Sequence, residues 1–350
     1  MFDPSIRLRP VRPLGLLALA VTLAGCSESD PSGPQEEPFG SLTVDAVADW
    51  AFVDLGTTAT PVQVADRTTS GAWDIAFFAT TVMLNGGAAG PGEVEGYCLC
   101  QNNGASDNDI IAMTASSEAA DFEAVTALQI PADGWETDVL DPAIEGWWSY
   151  NPTTHVVSAV PEKTWKVRTE EGTAFAKLHV TAIEDAAMAH AGKVTLEFAT
   201  QTAAGEPFGD TKTLTVDLAA GPVYVDLLDA AISDASSWDI RLEGYDVRVN
   251  SGISGDGEAA AIDAGEPFAD ITDAGDVVES VYKSDAFGGA FKAHPCYRYN
   301  LQGNHQIWPT FDVYLIRVGA EVYKIQLTSY YKGDTGDGRH ITFRYAKLAD

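Results

Sequence analysis

Apolar and polar residues alternate with a period of two over many short stretches of the chain. Trp238, Ile240 and Leu242 alternate with Asp239, Arg241 and Glu243, and Tyr245, Val247 and Val249 with Asp246, Arg248 and Asn250. Tyr323, Ile325 and Leu327 alternate with Lys324, Gln326 and Thr328, and Ile341, Phe343 and Tyr345 with Thr342, Arg344 and Ala346. Such alternation buries one face of a strand and wets the other, as in antiparallel sheets. The glycine-dense stretches at Asn85-Gly86 and Asn250–Gly257 read as loops needing unusual backbone angles. Ser117–Ala127 fits one short helix, with Ser117 as its cap. The pattern predicts an all-β chain of sheets packed face to face.

The pattern also repeats. Leu42-Thr43-Val44-Asp45 and Phe52-Val53-Asp54-Leu55 return as Leu214-Thr215-Val216-Asp217 and Tyr224-Val225-Asp226-Leu227, with the same internal spacing. Trp73-Asp74-Ile75 returns as Trp238-Asp239-Ile240. Asn85, Gly87, Gly90, Gly92 and Glu93 return as Asn250, Gly252, Gly255, Gly257 and Glu258. Further on, Tyr150-Asn151 pairs with Tyr299-Asn300, Arg168 with Arg317, and Val194, Leu196 and Phe198 with Ile341, Phe343 and Tyr345. Matches in the same order, with the same spacing inside each segment, are the mark of a duplicated unit. Copy one covers residues 42–201 and copy two residues 213–348, each long enough for a core. Trp73 and Trp238, matched in strand position, are expected inside.

The N-terminus reads as a processing segment. Arg7, Arg9 and Arg12 precede a short apolar run from Leu14 to Leu23, too short to span a bilayer. Leu23-Ala24-Gly25-Cys26 follows and resembles the lipobox of bacterial lipoproteins, which implies a signal peptide at 1–25 and a lipid on Cys26. Residues 26–41 are acidic and proline-containing and read as a flexible tether. Removing residues 1–25, with three Arg and one Asp, takes the net charge from −30 to −32. That charge repels phosphate backbones and argues against nucleic acid as a partner. Three cysteines remain beyond the anchor. Cys98 and Cys100 would lie on one face of an extended strand, a poor geometry for bonding each other. Cys296 is therefore expected to bridge to Cys98 or Cys100. The CxC pair is a weak metal signal, with no histidine near it in sequence.

Trp73–Phe77, followed by Asn85 and the glycine loop, resembles the opening of HmuY-like lipoproteins. Tyr150-Asn151 with His155 also resembles that family, and Arg317, Lys324–Tyr331 and Ile341–Tyr345 resemble its ending. The likeness spans nearly all of 42–348 as two tandem copies. It implies two tandem antiparallel β domains, with at most a short helix in each. It also implies haem captured without catalysis at the bacterial outer membrane, facing the cell surface or periplasm, and passed to an outer-membrane haem receptor. Members of the family hold haem iron between two side chains, usually histidines, lying between the glycine loop and the Val-Arg strand.

Haem needs an imidazole or thioether for its iron, apolar walls and a partner for its propionates. In that interval copy one offers His155 and Met113, and copy two offers His294 and His305. His305 falls one residue past the position aligned with His155. With two histidines, copy two is the favoured site, walled by Tyr297, Tyr299 and Trp308, with Arg298 for a propionate. Each histidine lies in a polar loop or turn, where it needs no ligand to justify it. Enzyme chemistry has no support in the motifs: there is no Gly-x-Ser-x-Gly elbow, zinc helix or phosphate loop. The alternative to haem is a surface module that binds a glycan or a protein partner through its loop edges.

Overall fold

The computed structural model describes residues 39–333 and 335–348; the signal segment, Cys26 and most of the tether lie outside the described residues. Strands carry the fold, with three α-helices of at most six residues among the described residues. The first half of copy one comprises β1 (Gly40–Asp45), β2 (Ala51–Asp54), β3 (Thr60–Val62), β4 (Ile75–Phe78), β5 (Thr81–Leu84) and β6 (Glu95–Cys98). Helices α1 (Asp107–Ala112) and α2 (Ala119–Ala124) and a crossing strand β7 (Val139–Asp141) follow. Its second half comprises β8 (Trp148–Asn151), β9 (Val156–Ala159), β10 (Thr164–Arg168), β11 (Phe175–Glu184) and β12 (Lys193–Gln201).

Copy two repeats the order. Its first half comprises β13 (Lys212–Asp217), β14 (Val223–Asp226), β15 (Ala231–Ser233), β16 (Ile240–Glu243), β17 (Asp246–Val249) and β18 (Ala260–Asp263). The crossing strand β19 (Ala286–Gly288) and helix α3 (Ala290–Ala293) come next. The second half comprises β20 (Tyr297–Tyr299), β21 (Ile307–Pro309), β22 (Tyr314–Val318), β23 (Glu321–Tyr331) and β24 (Gly338–Lys347).

The sheets do not follow the copies. One five-stranded sheet runs β1-β24-β23-β22-β6, and the other β13-β12-β11-β10-β18. Each thus joins the first half of one copy to the second half of the other. Leu42 faces Phe343 and Val44 faces Ile341 in one sheet. In the other, Leu214 faces Leu196 and Val216 faces Val194. These are the same repeat positions, so the two pairings are equivalent. Four-stranded sheets, β3-β2-β4-β5 and β15-β14-β16-β17, cover them.

Each core is shared in the same way. Val53, Ile75, Phe77 and Leu84 pack on Tyr314, Ile316, Ile325 and Phe343 in one lobe, with the Phe77 and Phe343 rings stacked at 5.2 Å. In the other, Val225, Ile240 and Val249 pack on Val167, Leu178 and Leu196. The expectation of one core per copy is thus replaced by two cores, each drawing on both copies. The chain crosses where β7 pairs with β19, placing Leu140 against Phe287. The central lobe is consequently a continuous stretch, residues 142–285, inserted between the two parts of the outer lobe.

Local signals explain the short helices. Ser106 accepts from Asp109 N–H, and Asp109 accepts in return from Ser106, a capping box that starts α1. Ser117 does not cap α2. Glu118 holds that position without a side-chain bond, and the Ser117 hydroxyl donates to the Thr114 carbonyl.

The most conspicuous repeat residues are fold staples. Asp74 accepts from Leu55 N–H at 2.7 Å and Asp239 from Leu227 N–H at 2.8 Å. Asp138 accepts from Leu84 N–H at 2.9 Å and Asp285 from Val249 N–H at 3.0 Å. Asn85 and Asn250 accept from Gly92 and Gly257 across each glycine loop. A Cβ at Gly90 or Gly255 would run into that asparagine oxygen, which explains both glycines. Trp73 and Trp238 are buried as expected, each edge-on to the aromatic ring of Phe52 or Tyr224.

Burial pushes the carboxyls of Asp74 and Asp239 up to about 6 and that of Asp138 to about 7, against partial relief from their N–H donors. Asp285 is raised for the same reason. These acids are still protonated in the folded chain at pH values where the unfolded chain has lost its protons. Their contribution to stability is complete below the unfolded value near 3.8 and is lost as pH rises through about 7. Urea midpoints should therefore fall between about pH 5 and about pH 8, and fall less in Asp138→Asn, which keeps an acceptor for Leu84 but cannot ionise. An equal fall in both proteins would contradict this. The excised segment 142–285, which holds a complete sheet pair and its own core, should unfold in one cooperative transition followed by tryptophan fluorescence. A broad, non-cooperative loss of signal would contradict the lobe assignment.

Candidate functional site

The second half of each copy opens with a hairpin, β8–β9 or β20–β21. His155 and His305 sit at the tips, both with positive φ, 57° and 59°. In each hairpin the histidine Nδ1 lies 2.6 Å from a tyrosine hydroxyl, Tyr150 or Tyr299. The one-residue offset in sequence thus disappears in the fold: the two histidines are equivalent. The tautomer that carries its proton on Nδ1 donates to the tyrosine oxygen and keeps a lone pair on Nε2, the arrangement a metal-binding imidazole requires.

The surroundings of the two tips differ. The copy-one hairpin borders a cleft of about 860 Å³, within the range of small-ligand sites. Trp148, Val157, Ile183 and Tyr245 form apolar walls, and His155 and Met188 both line it. Met188 lies in the turn between β11 and β12 with its side chain 99% exposed, an unusual placement for a thioether. Tyr245 comes from copy two, so this cleft belongs to the central lobe and exists only because the halves interleave. Trp148 Nε1 donates to the Tyr245 carbonyl and the Tyr245 hydroxyl to the Ala187 carbonyl, which fixes the walls.

Under the copy-two hairpin the corresponding space is about 20 Å³ and His305 does not line it. Tyr330 stands where Ile183 stands in copy one, and Tyr331, the next residue, accepts from Ile307 N–H at 2.8 Å, tying the hairpin down. The turn corresponding to that of Met188 offers neither histidine nor methionine among the described residues.

His294 lines a cleft with Cys100 that does not include His305. His294 ends α3 and groups with Cys98 and Cys100, their ligand atoms all within 4.8 Å of one another. Arg298, expected to meet a propionate, is engaged with Asp107 at 2.9 Å and the Ala105 carbonyl at 2.8 Å. Tyr299 serves His305, and Met113 ends α1. Met188 lies outside the interval searched in the sequence, past the Val-Arg strand. A methionine in an alanine-rich turn is its only signal in the sequence.

The expected bridge from Cys296 to Cys98 or Cys100 is corrected. Cys98 and Cys100 bond to each other, with Cα atoms 5.1 Å apart. The chain is not extended there, because Cys100 takes a φ of 50° and swings its side chain back toward Cys98. Cys296 is a free thiol inside the core, and burial pushes it up to about 12.

No helix among the described residues is long and apolar enough to cross a membrane. Comparison with curated proteins gives no match. Among solved structures, a protein described as a lipoprotein from Bacteroides fragilis is 12% identical, with a TM-score of 0.33, covering 91% of this chain and 96% of that one. A protein described as an HmuY-like heme binding protein from Bacteroides vulgatus is 14% identical, with a TM-score of 0.17, covering 37% of this chain and 86% of that one. The family model for HmuY protein matches twice, at residues 46–198 and 211–345. Two matches spanning most of the sequence, on a fold of paired half-repeats, place this chain in the HmuY protein family.

Proposed function

We propose that this chain binds haem without catalysis, in the cleft of the central lobe, with His155 and Met188 as the iron-binding side chains. The observation that carries this reading is a fully exposed methionine lining the same cleft as a histidine whose Nδ1 is already engaged. The donor set fits haem: an imidazole and a thioether are both established haem-iron ligands, and the walls are aromatic and aliphatic. Haem, when bound, supplies an iron with two axial positions. Tyr150 positions the imidazole, while Trp148, Ile183 and Tyr245 keep water from the ring face. No lysine or arginine is among the residues lining the cleft, so the propionates would face solvent. Membership of the HmuY protein family supports the same ligand class.

The site is thus assigned to copy one's hairpin, in place of the copy-two pair His294 and His305. The two halves of the duplication would have diverged, with Tyr330 and Tyr331 closing the second cleft. A lipid on Cys26 would hold the body at the envelope on its acidic tether, within reach of an outer-membrane receptor that takes the haem onward.

The test is a haem titration of the whole chain with Cys26→Ser, read by the Soret band. One haem per chain is expected. His155→Ala and Met188→Ala should each weaken binding by about tenfold or more, and the double variant should abolish the shifted band. His294→Ala with His305→Ala should leave it unchanged. A Soret shift that survives the loss of both His155 and Met188 would overturn the assignment.

A further inference from the structure

The interleaving of halves brings an imidazole onto a pair of sulfurs from which the sequence keeps it nearly two hundred residues away. Cys98 ends β6, and its strand partner is Tyr314 of β22. The Tyr314 hydroxyl donates to the His294 carbonyl at 2.6 Å, and its ring stacks on Phe291 of α3 at 4.3 Å. One tyrosine therefore fixes both the strand that carries the thiols and the helix end that carries the imidazole. The loop beyond Cys100 is pinned as well. Asn102 N–H donates to Asp312 and its side-chain amide to the Thr310 carbonyl, both at 2.8 Å. The donors of Cys98, Cys100 and His294 lie within 4.8 Å of one another. Cys100 and His294 line a cleft of about 270 Å³.

The other lobe shows that the packing does not require this cluster. There, Asp263 faces Trp165 as Cys98 faces Tyr314, so Asp263 and Gly265 stand at the positions of Cys98 and Cys100. Asp263 makes a surface ion pair with Lys163 instead. The fold closes equally well without the thiols, which leaves their chemistry as the reason for a CxC beside a histidine.

We propose that Cys98, Cys100 and His294 form a redox-gated binding site for a thiophilic d¹⁰ cation, Zn(II) or Cu(I). In the oxidised chain the two sulfurs are bonded to each other and offer no thiolate. An external thiol reductant opens the site: two RSH molecules reduce the Cys98–Cys100 disulfide to two thiols and leave as RSSR. Cation binding then displaces one proton from each thiol and forms two metal–sulfur bonds, with His294 adding a nitrogen. Two thiolates and one imidazole leave Zn(II) a fourth position for water, or satisfy Cu(I) as a three-coordinate ion. Cys296, buried in the core, stays out of the exchange.

The experiment uses the full chain with Cys26→Ser, oxidised and after reduction by a phosphine that is then removed under nitrogen. Zn(II) is titrated against a chromophoric chelator, and Cu(I) against a Cu(I)-specific chelator. Reduced protein should bind one equivalent of at least one cation, and oxidised protein none. Co(II) used in place of Zn(II) should give a thiolate charge-transfer band in the near ultraviolet. His294→Gln should weaken binding by about tenfold to a hundredfold, and Cys98→Ser with Cys100→Ser should abolish it. His305→Gln should change nothing. Near-ultraviolet circular dichroism confirms that each variant is folded, since serine and glutamine preserve the local size. Absence of binding by the reduced chain, or binding that persists without both cysteines, would overturn the site. The haem titration reads a different lobe, so either proposal can fail without the other.

Discussion

Backbone pairing between the first strand of one copy and the last strand of the other holds every other feature in place. β1 lies on β24 and β13 on β12, in the same register relative to the repeat. Antiparallel strands joined by a short link pair readily, and residues 202–211 are such a link between β12 and β13. Once that hairpin forms, the second half of copy one is committed to the first half of copy two. The remaining halves must then find each other across the whole chain. The β7–β19 ribbon, which lays equivalent strands against each other, is where this exchange crosses.

Function follows from the exchange. The candidate haem cleft needs Trp148, His155 and Met188 from copy one and Tyr245 from copy two. The thiol–imidazole cluster needs Cys98 and Cys100 from copy one and His294 from copy two. Neither site lies within a single repeat. The duplication also let the lobes diverge: an isoleucine in one is a tyrosine in the other, and an open cleft becomes a filled one.

Much of the fold was legible. Period-two alternation located β16, β17, β23 and β24, because one face of each sends apolar side chains into a core; on β23 and β24 the other face is covered too, with Lys324, Gln326 and Arg344 buried. The repeat was legible through Trp-Asp-Ile and the glycine loops, whose residues staple turns through side-chain oxygens and so tolerate little change. The partners of the strands were not legible. Pairing within a copy and between copies buries the same side chains, so the hydrophobic pattern is identical for both. Helix α1 was missed although Ser106 and Asp109 have capping-box spacing, since a helix of two turns leaves almost no periodicity. Met188 was missed because exposure, not residue type, marks it. The Cys98–Cys100 bond was judged on an extended backbone, and the positive φ of Cys100 removes that premise.

The interleaved pairing can be tested with two engineered thiol pairs. Thr43 and Thr342 touch across β1 and β24, their hydroxyls 2.8 Å apart, and Thr195 is the copy-one equivalent of Thr342. In the monomeric chain, Thr43→Cys with Thr342→Cys should close a disulfide within one molecule, while Thr43→Cys with Thr195→Cys should leave both thiols free. A disulfide in the second variant and none in the first would mean that each copy folds on itself.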